Sequence, residues 1–369
     1  MKNLGEQITV VLEELPDPQS QKTLGKLGMI GGVDVDDGGS VVVKVRLTTP
    51  NYRKREELAA AVRQAALGVD GVKGVSLQFA FQPDGRNVTP DDAVPEVKNV
   101  VLVMSGKGGV GKSTVAVNLA VALRKMGATV GLLDADIHGP SIPTMLGSPS
   151  ALMGDGKKIM PHESLGVKLM SIGYLLEDEK SAVIWRGPML HGALVQFLKD
   201  VAWGSLDYLL LDLPPGTGDI ALTLSQRVRC NGAVVVTTPQ KVALQDVYKA
   251  VSMNQKLGIP VLGVVENQAY FVCKHGERYD LFGQGGGAEV ARLAGAPLLG
   301  QIPIYPEIRE CGDSGTPVVE AAPESPAAQA FLAIATQLAD RIAKENATGG
   351  GRLTTMSDDE GRQHLPVMR

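Results

Sequence analysis

The residues best suited to chemistry lie together in Gly106-Lys107-Gly108-Gly109-Val110-Gly111-Lys112-Ser113-Thr114. They fit G-x-x-x-x-G-K-[ST], a loop that wraps successive backbone N–H groups around nucleotide phosphates. In such a loop Lys112 neutralises the β and γ oxygens and Ser113 ligates Mg²⁺. Lys107 is a second loop lysine that the basic pattern does not require.

Acids placed at strand ends complete the set. Asp134-Ala135-Asp136 follows the apolar Val130-Gly131-Leu132-Leu133, and Asp212 ends Leu209-Leu210-Leu211. One of Asp134 and Asp136 can hold the metal's water shell while the other orients an attacking water. Asp212 can hold magnesium or its water. Phosphoryl transfer needs this alignment and charge neutralisation above all. We therefore assign Ser113, Asp134 and Asp212 to magnesium and Lys112 and Asp136 to the transfer itself. Pro214-Pro215-Gly216-Thr217-Gly218-Asp219 then reads as a stiff turn suited to sensing a γ-phosphate, or as an ordinary rigid loop. A dinucleotide fingerprint also fits Gly106-x-Gly108-x-x-Gly111, with Asp134 as the ribose acid. It explains neither the Lys-Ser-Thr that follows nor the strand ending in Asp212.

These residues need a scaffold. Val100 to Met104 precede the loop as an apolar strand, and Val115, Leu119, Val121 and Leu123 follow on a helical pattern. The helix N-terminus then faces the anion. Aliphatic strands are expected at 99–104, 128–134, 206–212, 232–238, 260–266 and 297–302, alternating with helical stretches. The fold class is α/β, with a mostly parallel sheet over 98–345 and nucleotide at the strands' C-terminal ends.

Residues 1–82 read as a separate small α+β domain. Leu4, Ile8, Val11, Leu12 and Leu15 mark a helix, and Val41, Val43, Val45 and Leu47 alternate as a strand. Leu58, Val62, Ala65 and Ala66 give a second helix before the alternating Val75, Leu77, Phe79 and Phe81. Pro83, Pro90 and Pro95 among Asp84, Asp91 and Asp92 predict an extended, poorly packed linker over 83–97. The composition of 346–369 predicts a disordered tail.

The composition bounds the function. With 369 residues the chain can bury a substantial core, and 44% hydrophobic and 21% charged content suit a globular protein. A net charge of −4 and 4% aromatic content give no basic face and no stacking platform for nucleic acid. No apolar run reaches the ~18 residues of a membrane span. The N-terminus lacks the apolar core of a signal peptide. The 3 cysteines, Cys230, Cys273 and Cys311, are too dispersed for a disulfide framework. A reducing cytoplasm is expected. Cys230 reads as a core thiol and Cys311 as a residue of an exposed loop.

Further stretches sharpen the reading: Asp134-Ala135-Asp136-Ile137-His138-Gly139-Pro140-Ser141, Trp185-Arg186-Gly187-Pro188-Met189, Asp212 to Asp219, Thr237-Thr238-Pro239-Gln240, and Phe282-Gly283 to Gly287. With the loop they resemble the Mrp/ApbC family of P-loop ATPases, over about 98–320. That family lies in the deviant Walker class with MinD, ParA and nitrogenase iron protein. Residues 1–82 resemble the PaaD/SufT-like domain often fused to it.

The resemblance implies an ATP-binding, slowly hydrolysing homodimer that carries iron–sulfur clusters to apo-proteins with assembly factors as partners. Lys107 resembles the lysine that crosses to the partner's nucleotide, and Asn267 the residue that recognises adenine. Cofactors implied are ATP, Mg²⁺ and a cluster of the [4Fe–4S] type. In the family the cluster bridges subunits through Cys-x-x-Cys, since soft thiolates suit iron–sulfur. Here Tyr270-Phe271-Val272-Cys273-Lys274-His275-Gly276-Glu277-Arg278 keeps a single cysteine. Cys273 is the candidate ligand. A symmetric dimer then offers two thiolates, and the other ligands must come from His275, another molecule or a client. Two alternatives stand beside the carrier: a ParA/MinD-like positioning switch, and an ATP-regulated adaptor that has lost cluster binding.

Overall fold

The computed structural model describes residues 4–50, 52–137, 139–149, 153–154, 158–175, 187–216 and 218–347. His138, Thr217, the Trp185-Arg186 pair and the tail from residue 348 lie outside them.

The N-terminal unit runs α1 (Leu4–Glu13), β1 (Ile30–Val35), β2 (Ser40–Leu47), α2 (Arg55–Leu67) and β3 (Gly74–Phe81). β2 pairs antiparallel with β1 and parallel with β3. The alternation in β2 turns Val41, Val43, Val45 and Leu47 inward against Ile8, Leu12, Leu58 and Val62. Strand period and helix period thus bury one shared core.

The larger unit begins with β4 (Val97–Ser105), α3 (Lys112–Lys125), β5 (Val130–Asp134) and α4 (Ile142–Met145). Short strands β6 (Met153–Gly154), β7 (Ile159–Met160) and β8 (His162–Ser164) precede β9 (Val167–Ser171) and α5 (Gly187–Asp200). The chain continues through β10 (Leu206–Asp212), α6 (Gly218–Arg227), β11 (Gly232–Thr237), α7 (Lys241–Lys256) and β12 (Val261–Val272). It closes with β13 (Arg278–Tyr279), α8 (Gly286–Ala294), β14 (Leu298–Ile304), α9 (Pro306–Asp313), α10 (Val318–Ala321) and α11 (Pro326–Ala347).

The sheet order is β13-β12-β11-β4-β10-β5-β9-β8, with β14 also on β12. Among the described residues of this sheet, only β8 and β13 pair antiparallel. β10 and β11 are buried along their whole length, as parallel strands covered on both faces should be. The crossover from β4 to β5 runs one way along the sheet, and those from β10 to β11 and β12 run the other. Right-handed crossovers therefore send α3 to one face and α6 and α7 to the other. The chain direction reverses beside β4, where the phosphate loop begins. Among the described residues, no helix is long and apolar enough to cross a membrane.

Four expectations change. The stretch 83–97 is a packed strap, not a loose linker. Arg86 and Asp92 pair with side chains 3% and 0% exposed. Arg86 Nη2 also donates to the Val94 carbonyl at 2.8 Å, and Ala93 N–H to the Arg227 carbonyl at 3.0 Å. Like charge along the linker was a poor guide because one of its acids is neutralised from within. Asn346, expected in the tail, lies in α11. Its Nδ2 donates to the Asp84 carbonyl at 2.9 Å and to Asn99 Oδ1 at 2.8 Å, while Asn231 Nδ2 donates to its Oδ1. Cys311 sits in α9, started by Pro306, and packs against the core rather than in a loop. The strand expected at 260–266 continues as far as Val272.

Candidate nucleotide site

β4 leads directly into the phosphate loop, and local sterics dictate its glycines. A Cβ at Gly106 would collide with the backbone of Asp246 and Val247 on α7. Gly111 has φ +79°, left-handed, and a Cβ there would strike the Asn267 amide. α3 then starts at Lys112, with its N-terminus toward the loop. A cavity of about 330 Å³ lies here, lined by Lys107, Gly109, Lys112, Ser113, Asp136 and Pro215 among others.

Parallel register brings the acids together. Asp212 stands beside Asp134, and Asp134 beside Ser171, in one row across β10, β5 and β9. The Lys112 ammonium lies 2.8 Å from Asp212 Oδ1 and 3.3 Å from Asp136 Oδ2. Ser113 Oγ donates to Asp212 Oδ2 at 2.6 Å. Asp134 accepts from Ser171 Oγ at 2.9 Å and from the Asp136 N–H at 3.2 Å. Burial, then the nearby Asp212 charge, pushes the Asp134 carboxyl up to about 8 against those two hydrogen bonds. Burial also raises Asp212, with the Lys112 ammonium pulling the other way.

This donor set fits magnesium. Asp212 Oδ1 is fully buried, and among the described residues its close partner is the Lys112 ammonium. Hydroxyl and carboxylate oxygens are the ligands Mg²⁺ prefers. The described residues form no cage of three or more His, Cys, Asp or Glu ligands. Mg²⁺ rarely needs one, because it takes one or two carboxylates with waters and substrate phosphates.

Asn267 comes from β12, a strand remote in sequence, and its Nδ2 donates to the Val110 carbonyl at 2.8 Å. Its side-chain oxygen thus remains an acceptor beside the loop. Lys107 is half-buried, and its Nζ donates to Gln240 Oε1 at 3.3 Å. Ser171 and Gln240 were not singled out by sequence. Gln240 stood in a quoted motif, whereas only the ladder register reveals Ser171. A second cavity, of about 400 Å³, lies between the strap and Trp203. It holds none of the phosphate-loop residues.

Cys273 lies apart from all of this, in the turn of the β12–β13 hairpin, where its N–H donates to the Glu277 carbonyl at 2.9 Å. His275 is exposed in the same turn. Cys230 sits just ahead of β11, at that strand's other end, and burial pushes its thiol up to about 12. Neither Cys230 nor Cys311 joins Cys273.

Two family models match the two units. Residues 96–339 match the NUBPL iron-transfer P-loop NTPases, and residues 5–77 the iron–sulfur cluster assembly protein family. The chain belongs to the NUBPL iron-transfer P-loop NTPase family. It is 46% identical to the iron–sulfur cluster carrier protein of Synechocystis sp., over 91% of this chain and 97% of that one. It is 47% identical to the Escherichia coli carrier protein, over 79% and 78% of the two chains. Among solved structures it resembles the nucleotide-binding protein of Archaeoglobus fulgidus in complex with ADP. That match has 43% identity and a TM-score of 0.54, over 62% of this chain and 92% of that chain.

Proposed function

We propose that this protein is an ATP-dependent carrier of iron–sulfur clusters, working as a cytoplasmic homodimer that delivers them to apo-proteins. The observation that carries the reading is the strand β12. It sets Asn267 against the phosphate loop and ends at Val272, one residue before Cys273, a half-buried thiol in the turn that follows.

In the nucleotide half, Lys112 would leave the Asp212 and Asp136 carboxylates for the β and γ oxygens of ATP, close to where it already lies. Asp136, freed of the ammonium, would orient the attacking water. Lys107 would leave Gln240 and reach the partner subunit's nucleotide. The Asn267 side-chain oxygen would accept from the adenine amino group, which guanine lacks at that position. Magnesium, held by Ser113, Asp212 and Asp134 directly or through water, would screen the charge of the phosphates. Hydrolysis should be slow unless the partner's lysine arrives.

In the cargo half, Cys273 supplies one thiolate per subunit. The cluster is a passenger, and two thiolates leave part of its coordination to a client or assembly factor. Such incomplete capture favours handing on over keeping. The test is anaerobic reconstitution with iron and sulfide, read by absorbance and by iron and sulfide content. The wild type should take up cluster and Cys273→Ala should lose it. No uptake by the wild type, even with a client present, would sink the carrier reading. The lone cysteine favours a second reading, an ATP-regulated adaptor without cluster, and hydrolysis without iron under every condition would select it.

A further inference from the structure

β12 joins two sites on one run of backbone, and it is irregular between them. Gln268 has φ +53°, a left-handed conformation for a residue with a side chain. The ladder to β14 slips between Asn267 and Phe271. Backbone of this kind persists only where its surroundings hold it. On the inner side, the Glu266 carboxylate accepts from the Gly287 N–H at the start of α8 and from Gln301 Nε2 at 2.6 Å. On the outer side, the Arg278 guanidinium lies 4.0 Å over the Tyr270 ring. Phe271 and Val272 then pair with Tyr279 and Arg278, and the Cys273 turn follows. The kink is held between an anchored inner strand and a braced hairpin.

We propose that Asn267 and Gln268 form a joint through which nucleotide at the phosphate loop sets the position of the hairpin carrying Cys273. Its purpose rests on the carrier reading above. Asn267 holds the Val110 carbonyl of the phosphate loop, so any shift of that carbonyl when nucleotide binds is felt at Asn267. Glu266 fixes the strand just before that contact, so the displacement passes to the next backbone unit, Gln268. A residue with a stiff positive φ transmits the rotation, whereas glycine would absorb it. The joint is a local element that both ends can bias, which is the physical requirement for coupling.

The experiment is N-ethylmaleimide labelling of Cys273, followed on its own peptide by mass spectrometry, with and without saturating MgADP. Wild type and Gln268→Gly are compared at two protein concentrations. In the wild type MgADP should change the rate by roughly 5- to 150-fold, the range that couplings between sites span. The change should be the same at both concentrations. In Gln268→Gly, which relieves rather than adds strain, the ratio should fall to about one, with affinity for a fluorescent ADP analogue retained. A wild type that binds MgADP without a rate change overturns the joint. So does a variant that keeps the wild-type ratio, or one that can no longer be saturated. A response that grows with protein concentration would mean that a partner subunit covers the thiol, and also overturns it. No cluster is present in this assay, so failure of the joint and failure of cluster binding are read separately.

Discussion

The Lys112 ammonium lies 2.8 Å from an oxygen of Asp212, whose other oxygen accepts the Ser113 hydroxyl at 2.6 Å. One buried carboxylate therefore holds both Lys112, proposed to neutralise phosphate, and the Ser113 hydroxyl, proposed to ligate magnesium. Lys112→Ala should lower ATP turnover by about 10²- to 10³-fold, the usual effect of removing one aimed electrostatic donor. Asp212→Asn should differ in kind. It removes the nearer of the two carboxylates paired with Lys112 and leaves Asp136, so nucleotide binding without magnesium should strengthen while the dependence on magnesium flattens. A magnesium titration at fixed nucleotide checks both, and an unchanged magnesium dependence in Asp212→Asn would remove Asp212 from the metal site.

Asn267 holds the loop and is proposed to read the base. Its amide nitrogen is committed to the Val110 carbonyl, which fixes the direction of its oxygen. Asn267→Ala should cost about tenfold in ATP affinity, as the loss of one good hydrogen bond does. The preference for ATP over GTP should narrow with it. Competition binding with the two nucleotides reads this directly, and an undiminished preference would assign adenine recognition elsewhere.

The strap gives a pH dependence with a definite sign. Burial raises the Asp92 carboxyl, but the Arg86 guanidinium and the Val94 and Arg229 N–H groups more than offset this, leaving it below its ordinary 3.8. A depressed carboxyl contributes stability above its unfolded value and loses it as pH falls through the folded one. Thermal unfolding should therefore show an acid limb that starts near pH 4 and deepens below it. Asp92→Asn should be less stable at neutral pH and should have a shallower limb. Arg86→Ala should cost roughly 3–5 kcal/mol, because it leaves a buried charge unpaired. A limb unchanged in Asp92→Asn would place the acid sensitivity in other carboxylates.

Legibility in the sequence followed the range of the interactions. The loop from Gly106 to Thr114 and the strands ending at Asp134 and Asp212 are written contiguously, and period and motif recover them. The alternation of Val41, Val43, Val45 and Leu47 gave the small domain's core face for the same reason. Features that depend on distant partners were hidden. Nothing near Asp92 announces that Arg86 will neutralise it, and Ser171 meets Asp134 only through the order of the strands. Gln268 shows another limit, since its left-handed backbone is imposed by what flanks it on β12 rather than by residue type. Cys311 stood in a polar run that reads as loop, although Pro306 is well placed to begin a helix.

The end of α11 supplies the last prediction. Asn99, Asn231 and Asn346 share hydrogen bonds of 2.8–2.9 Å, and Asn99 also donates to the Asp207 carbonyl at 3.0 Å. Asn231 Oδ1 accepts the Val100 N–H at 2.8 Å. The network therefore ties β4, β10, the approach to β11 and the last turn of α11 to the strap at Asp84. Asn99 and Asn231 are buried and Asn346 is half-buried, and a buried amide left unpaired costs about 1–3 kcal/mol. A chain ending at Ala347 should be more stable than one ending at Glu345 by roughly that amount, although the two differ only in Asn346 and Ala347. Asn346→Ala in the longer chain should reproduce most of the loss, separating the hydrogen bonds from helix length. Urea midpoints for the three proteins measure it. Equal midpoints would show that Asn346 contributes nothing and that the boundary expected after residue 345 is the energetic one.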